Sequence, residues 1–167
     1  MTGFFHKMHG LGNDFVVIDA RADAVPMTMA RARAIADRRT GIGCDQLILV
    51  EPSDIADATM RIWNNDGSEV EACGNATRAL AVLIGKATLE TKGGMVSIAP
   101  DATGATVEIG TPRFDWQDIP LAYAMDTAAM PVGWEALEAP MAVNVGNPHL
   151  VFFVEDLEAI EDRKSVV

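Results

Sequence analysis

The sequence predicts a mixed α/β fold in which mostly antiparallel strands surround a central helix. Short stretches of alternating apolar and polar residues recur between turns rich in glycine and asparagine, a pattern typical of antiparallel strands. One helical segment is apolar on nearly every side, so neighbouring elements must enclose it. The chain has 167 residues, of which 49% are hydrophobic and 22% charged, which is enough to bury a core.

Two strands, residues 4–9 and 14–20, are predicted at the N-terminus on either side of a tight turn at residues 10–13. Thr28 is typical of a helix N-cap, and the helix that follows is expected to run to about Arg38. The residues expected on the apolar face of this helix are Ala30, Ala34 and Ile35.

Three strands are predicted next, at residues 47–50, 59–64 and 68–72. The Asp66-Gly67 pair predicts a hairpin turn between the last two. After this hairpin, residues 75–86 predict a helix with almost no polar face beyond its first turn. A short helix of this kind is normally buried on all sides, so the flanking strands are expected to wrap around it. Its apolar residues are Ala76, Ala79, Leu80, Ala81, Val82, Leu83 and Ile84.

Alternating segments predict five further strands, at residues 88–92, 95–99, 105–109, 141–145 and 150–154. Residues 111–120 contain two prolines and a tryptophan and are expected to cross between domains. We therefore expect a first α/β domain at residues 1–117 and the incomplete start of a second, similar domain at residues 118–167.

Charge and hydropathy exclude several classes of function. The formal charge is 13 − 24 = −11, which disfavours partners such as nucleic acid or an anionic membrane. No apolar run approaches the roughly 18 residues of a membrane span, and the N-terminus lacks the pattern of a signal peptide. A cytoplasmic location is expected. The sequence contains no Walker motif, no dinucleotide-binding pattern and no Cys/His spacing suited to zinc, so neither a cofactor nor a metal is expected.

Two cysteines are too few for a disulfide framework, so their interest is as thiols. Cys73 immediately precedes the apolar helix, where the helix dipole and unpaired backbone N–H groups would favour a thiolate. The same N–H groups would bind a substrate carboxylate, and Gly74 would let it approach closely. The alternative is a buried cysteine that closes the hairpin. Cys44, between a glycine turn and an apolar strand, is interpreted as buried and unreactive.

Four stretches occur in the order and spacing of one enzyme family: residues 8–15 (MHGLGNDF), 41–46 (GIGCDQ), 64–75 (NNDGSEVEACGN) and 146–149 (GNPH). Through these motifs the chain resembles the diaminopimelate epimerases. The resemblance implies two similar α/β halves, each a curved sheet wrapped around a central helix, with the active site in the cleft. It also implies epimerisation of LL-diaminopimelate to meso-diaminopimelate in lysine and peptidoglycan precursor biosynthesis, without pyridoxal phosphate. The implied partner is this small molecule, and full-length family members are expected to be homodimers.

The resemblance also assigns roles to individual residues. Cys73 matches one of the family's two acid/base cysteines, and His149 matches a histidine that tunes the cysteine pKa values. Asn13 and Gln46 match positions at the distal end of the substrate, whereas Gly74 and Asn75 match the cradle of its α-carboxylate. The positions that match substrate-binding residues are Asn13, Gln46, Asn64, Gly74, Asn75 and Asn147.

The sequence departs from the family pattern in three respects. Ala76 and Ala79 follow Gly74-Asn75 where the family usually has a glycine and soon another cysteine. Cys44 replaces what is commonly a small or aromatic residue. No Ala-Cys-Gly-Thr-Gly segment, which carries the family's other catalytic cysteine, follows His149. We therefore expect this chain to be an inactive N-terminal fragment. The alternatives are a proline or hydroxyproline racemase of the same superfamily, and a non-catalytic binding module.

Overall fold

A computed structural model of the protein describes residues 4–102, 104–134, 137–158 and 160. The contacts between residues divide the chain into two compact units, Met1–Gly110 and Thr111–Val167, and each is described by itself. The domain boundary expected from the sequence lies at residue 117, inside the segment expected to cross between domains.

A single mixed sheet forms the framework of the first unit. Its eight strands are β1 (His6–Gly10), β2 (Asn13–Asp19), β3 (Gln46–Glu51), β4 (Ala58–Asn64), β5 (Glu69–Val70), β6 (Ala87–Thr91), β7 (Gly94–Asp101) and β8 (Gly104–Glu108). Their order is β1-β2-β3-β4-β6-β7-β8, and β5 pairs with β4. Only the β2–β3 and β4–β6 pairs in this sheet are parallel, so the predicted mostly antiparallel α/β class is confirmed.

The sheet curls around helix α2 (Gly74–Ile84), which contacts both β1 and β8, the two ends of the strand order. Side chains on β2, β3 and β4 alternate between two cores. On β3, for example, Ile48 and Val50 belong to the core that contains α2. Leu47 and Leu49 belong to a second core on the other face, which is covered by helix α1 (Met29–Ala36).

Helix α1 begins as predicted and ends two residues early. The Thr28 side chain accepts a hydrogen bond from the backbone N–H of Arg31 at 3.2 Å, which is an N-cap. Of the predicted apolar face, Ile35 is half-buried against the core, whereas Ala30 and Ala34 are exposed, so that part of the prediction is wrong. The buried alanines are instead Ala32 and Ala36, one helical turn apart. Ala30 and Ala34 form an apolar strip on one side of this helix, and Ala32 and Ala36 form another on the opposite side. Packing against the sheet buries only the second strip.

Helix α2 is confirmed, but it is not buried on all sides as expected. Leu80 is fully buried, and Leu83 and Ile84 are half-buried. Val82 lies on the side that the sheet does not cover and is 63% exposed. The helix ends before Gly85, whose φ of 82° departs from helical geometry and suits glycine.

The second unit is built from two short hairpins. They pair β9 (Gly133–Trp134) with β10 (Leu137–Glu138), and β11 (Met141–Asn144) with β12 (Pro148–Val151). The predicted strands at 141–145 and 150–154 correspond to β11 and β12, although β12 begins two residues earlier. The two-residue strands β9 and β10 are too short for an alternating pattern. Across the residues described, no helix has the length and hydropathy that a membrane crossing requires.

Candidate active site

The candidate site is centred on Cys73, the residue immediately before the first turn of α2. Cys73 has extended backbone angles and occupies the N-cap position, yet its side chain makes no capping hydrogen bond. Its carbonyl oxygen instead starts the helix, accepting from the backbone N–H of Thr77 at 3.0 Å and the Thr77 hydroxyl at 2.9 Å. The start of the helix therefore positions the thiol without using it in a capping hydrogen bond.

Burial determines the acidity of both cysteines. It raises the pKa of Cys73, and the backbone N–H groups of Ala76 and Asn75 oppose that rise without reversing it. The expectation that the helix start lowers the Cys73 pKa is therefore wrong, because loss of solvent outweighs the two N–H groups. Burial also raises the pKa of Cys44. The two thiols differ in access, since Cys44 is 0% exposed and Cys73 is half-buried.

Asn13 precedes Cys73 by 60 positions in the sequence, and its side chain contacts the Cys73 thiol. It follows the predicted tight turn, in which Leu11 and Gly12 have φ values of 54° and 90°. The Cys73 thiol donates to Asn13 Oδ1 over a sulfur–oxygen distance of 3.8 Å. Gly10 lies beside the Asn75 side chain, where a Cβ atom would make an ordinary contact at 3.4 Å. Asn13, Cys73 and Asn75 are thus brought together.

Gln46 and Asn64 lie at the same end of the sheet as Asn13. β2 and β3 are parallel and begin at Asn13 and Gln46, while β4 runs antiparallel to β3 and ends at Asn64. Gln46 Nε2 donates to Asn64 Oδ1 at 3.1 Å, and Asn64 Nδ2 donates to the Ser68 hydroxyl at 3.3 Å. Gln46 Oε1 is buried and has no hydrogen-bond partner among the described residues, so this acceptor is available to a ligand donor.

A charged cluster beside Asn13 is a feature that sequence reasoning missed. We define it as Lys7, Asp14, Arg38 and Asp45. Arg38 lies 2.7 Å from Asp14 Oδ1 and 2.8 Å from Asp45 Oδ1, and Lys7 lies 2.7 Å from Asp14 Oδ2. Arg38 holds the pKa of Asp14 well below its usual range, with help from Lys7. The cluster depends on the pairing of β2 with β3, which places the Asn13-Asp14 and Asp45-Gln46 segments side by side and which no local sequence pattern indicates.

The remaining predicted residues fall into two groups. Gly74 is exposed, and a Cβ atom there would meet nothing within 4 Å, so the start of α2 opens onto free space. Asn147 and His149 belong to the second unit, where Asn147 Oδ1 lies 3.0 Å from His149 Nε2. Their convergence with Cys73 stays a prediction. Over the described ranges, no three His, Cys, Asp or Glu side chains are grouped in a way that could hold a metal ion.

Three curated relatives match almost the whole chain, and each bears the name diaminopimelate epimerase. The protein from Erythrobacter litoralis is 67% identical over 93% of this chain and 59% of its own length. Those from Rhizorhabdus wittichii and Sphingopyxis alaskensis are 68% and 65% identical, over 93% and 96% of this chain and 58% and 60% of their own lengths. The chain therefore spans about three-fifths of the length of the relatives it matches.

Two solved structures share the fold at low sequence identity. A PhzF-family phenazine biosynthesis protein from Bacillus anthracis has a TM-score of 0.53 and 21% identity, over 93% of this chain and 56% of that one. A hydroxyproline epimerase from Agrobacterium vitis has a TM-score of 0.56 and 16% identity, over 93% and 53%. These similarities support the fold class alone. The diaminopimelate epimerase family model matches residues 5–114, and together with the relatives this match shows that the chain belongs to the diaminopimelate epimerase family.

Proposed function

We propose that this chain supplies the first half of a two-cysteine active site that interconverts LL- and meso-diaminopimelate without a cofactor. The observation that carries the proposal is the position of Cys73. Its uncapped thiol lies at the start of α2, next to Asn13, and the start of the helix opens onto free space at Gly74. Membership of the diaminopimelate epimerase family points to diaminopimelate as the substrate. The thiol and the start of α2 are chemical groups suited to it.

The substrate carries a carboxylate and an ammonium group at each end, and the site offers matching partners. The backbone N–H groups at the start of α2, around Gly74 and Asn75, would bind the α-carboxylate of the reacting end. The carbonyl oxygens of Asn13 and Gln46 would accept from the distal ammonium group, and Asn64 holds Gln46 in place. Asn147 and His149 match the family's further substrate-binding asparagine and its pKa-tuning histidine.

Inversion requires a base on one face of the α-carbon and an acid on the other. A thiolate removes the α-proton, and the electron pair left on carbon is stabilised by the hydrogen-bonded carboxylate. A thiol on the far face then gives its proton to that carbon and becomes the new thiolate. Cys73 fills one of these two roles and exchanges role when the reaction runs backwards. The only other cysteine of the 167 residues, Cys44, is fully buried, so the chain alone is expected not to invert its substrate.

The test compares this chain alone with the chain completed by the C-terminal part of the Erythrobacter litoralis protein. We expect the completed protein to epimerise diaminopimelate and to leave trans-4-hydroxyproline unchanged. Cys73→Ala should abolish the activity, and Cys44→Ala is the matched control that should retain most of it. Inversion by the unfused 167 residues, or an active Cys73→Ala variant, would contradict the two-thiol proposal. Turnover of hydroxyproline instead would favour the racemase alternative.

A further inference from the structure

The amide of Asn13 lies between a thiol and a carboxylate. Its Oδ1 is 3.8 Å from Cys73 Sγ, and its Nδ2 donates to Asp45 Oδ2 at 3.4 Å. The two ends of an asparagine amide have nearly the same shape, so their hydrogen-bond partners decide which way the group points. The orientation of this amide therefore determines whether the thiol meets an acceptor or a donor.

Asp45 can accept hydrogen bonds from the amide but cannot donate to it. Its Oδ1 accepts from the Arg38 guanidinium at 2.8 Å, and its Oδ2 also accepts from the backbone N–H of Asp14 at 3.0 Å, so both oxygens act as acceptors. An ionised carboxylate presents acceptors only. Asn13 must turn its NH₂ towards Asp45, which leaves its carbonyl oxygen for Cys73.

The carboxylate is itself fixed in place by the charged cluster. Arg38 bridges Asp45 and Asp14, and the backbone N–H of Asp45 donates to Asp14 Oδ1 at 2.9 Å. Lys7 adds a contact to Asp14 and another to the Gly43 carbonyl oxygen. The pairing of β2 with β3 thus holds the Asp45 carboxylate next to the Asn13 amide.

We propose that Asp45 is a positioning residue which, by orienting the Asn13 amide, keeps Cys73 protonated when no substrate is bound. An acceptor opposite a thiol stabilises the neutral S–H form and disfavours the thiolate. This inference rests on the proposed function. It assigns the thiol of the substrate-free two-cysteine pair to Cys73 and the thiolate to the cysteine on the opposite face. Transfer of this proton from Cys73 to the substrate carbon would then require release of the thiol from its contact with Asn13.

The test measures alkylation of Cys73 by iodoacetamide in the 167-residue chain, without substrate, in a Cys44→Ala background. The rate is followed between about pH 6 and pH 10, where thiols titrate. In Asp45→Asn the new side chain can donate to Asn13, so the Asn13 amide can turn its NH₂ to the sulfur. We expect alkylation near neutral pH to be about threefold to tenfold faster, the size expected when one hydrogen bond to the neutral thiol is lost.

Two controls separate orientation from charge and from general disruption. Asp14→Asn removes the same charge from the same cluster but leaves the Asp45 carboxylate as the acceptor for the Asn13 amide, so it should change the rate less than Asp45→Asn does. Asn13→Ala should accelerate alkylation by itself, and Asp45→Asn should add nothing further in that background. An unchanged rate in Asp45→Asn, or the same acceleration with and without Asn13, would overturn the proposal.

A measurement on the unsubstituted chain does not depend on how well the variants fold. Nuclear Overhauser contacts from the Asn13 side-chain NH₂ protons should reach residues 14 and 45 and not the Cys73 Cβ protons. Contacts to the Cys73 Cβ protons would place the NH₂ against the thiol and overturn the assignment. Because neither readout needs turnover, this inference can fail while the completed protein is active, or hold while it is not.

Discussion

At the scale of single residues, the two cysteines differ in their access to solvent but not in the direction of their pKa shifts. Burial raises the pKa of both, so neither is activated in the resting chain. Cys44 is closed off completely in the core under α1, whereas Cys73 is reached from solvent and has two backbone N–H groups near its sulfur. Reactivity should therefore follow access.

We expect Cys73 to be alkylated by iodoacetamide much faster than Cys44 at every pH at which the chain is folded. The measurement is mass spectrometry of the modified peptides from Cys44→Ala and Cys73→Ala variants over time. Denaturant serves as the control, because unfolding should make the two rates alike. Faster modification of Cys44 than of Cys73 in the folded chain would contradict the assignment.

Asp14 gives the fold a pH dependence of defined sign. Its folded-state pKa lies below its ordinary value of 3.8, so its ion pairs stabilise the fold fully above that value and progressively less as the pH falls below it. Asp14→Asn should therefore be less stable than the parent at neutral pH, and the difference should shrink in acid. Urea unfolding at a series of pH values measures this. A difference that grows on acidification would contradict the sign.

At the scale of elements, α2 has one side packed and one side open. We expect Leu80→Ala to lower the free energy of unfolding by about 2 to 5 kcal/mol, the usual cost of emptying a buried leucine site. Val82→Ala is the matched control, because its side chain is 63% exposed and alanine favours helix, so the change should stay within about 0.5 kcal/mol. Equal effects would show that the helix is enclosed on both sides.

The sequence predicted those elements whose signals are local. The N-cap at Thr28, the turn at Gly12 and the alternation along β6 to β8 depend on neighbouring residues and were each found. The buried face of α1 was not predicted, because alanines on both sides leave the choice to the sheet. The open side of α2 was missed for a related reason: apolar character shows that a surface can be buried, not that a partner covers it.

At the scale of the whole molecule, contacts between distant residues assemble the candidate site. The motif residues Asn13, Gln46 and Cys73 were identified from the family resemblance, and the strand pairing explains why the first two lie at one end of the sheet. The charged cluster could not be predicted, because its ion pairs join residues up to 24 positions apart through a parallel register that no local pattern encodes. The positions of Asn147 and His149 relative to these residues stay a prediction.

Because α2 contacts both ends of the sheet, its packing can be completed only late in synthesis on the ribosome. β1 emerges first, but β8, which closes the sheet on the other side of the helix, ends only at Glu108. Contacts this far apart in sequence form slowly, because the intervening chain must first be ordered. Until about a hundred residues have left the exit tunnel, α2 lacks one of the strands that packs against it. A nascent chain should therefore expose part of the apolar surface of this helix, and the core around it is completed only as β8 docks.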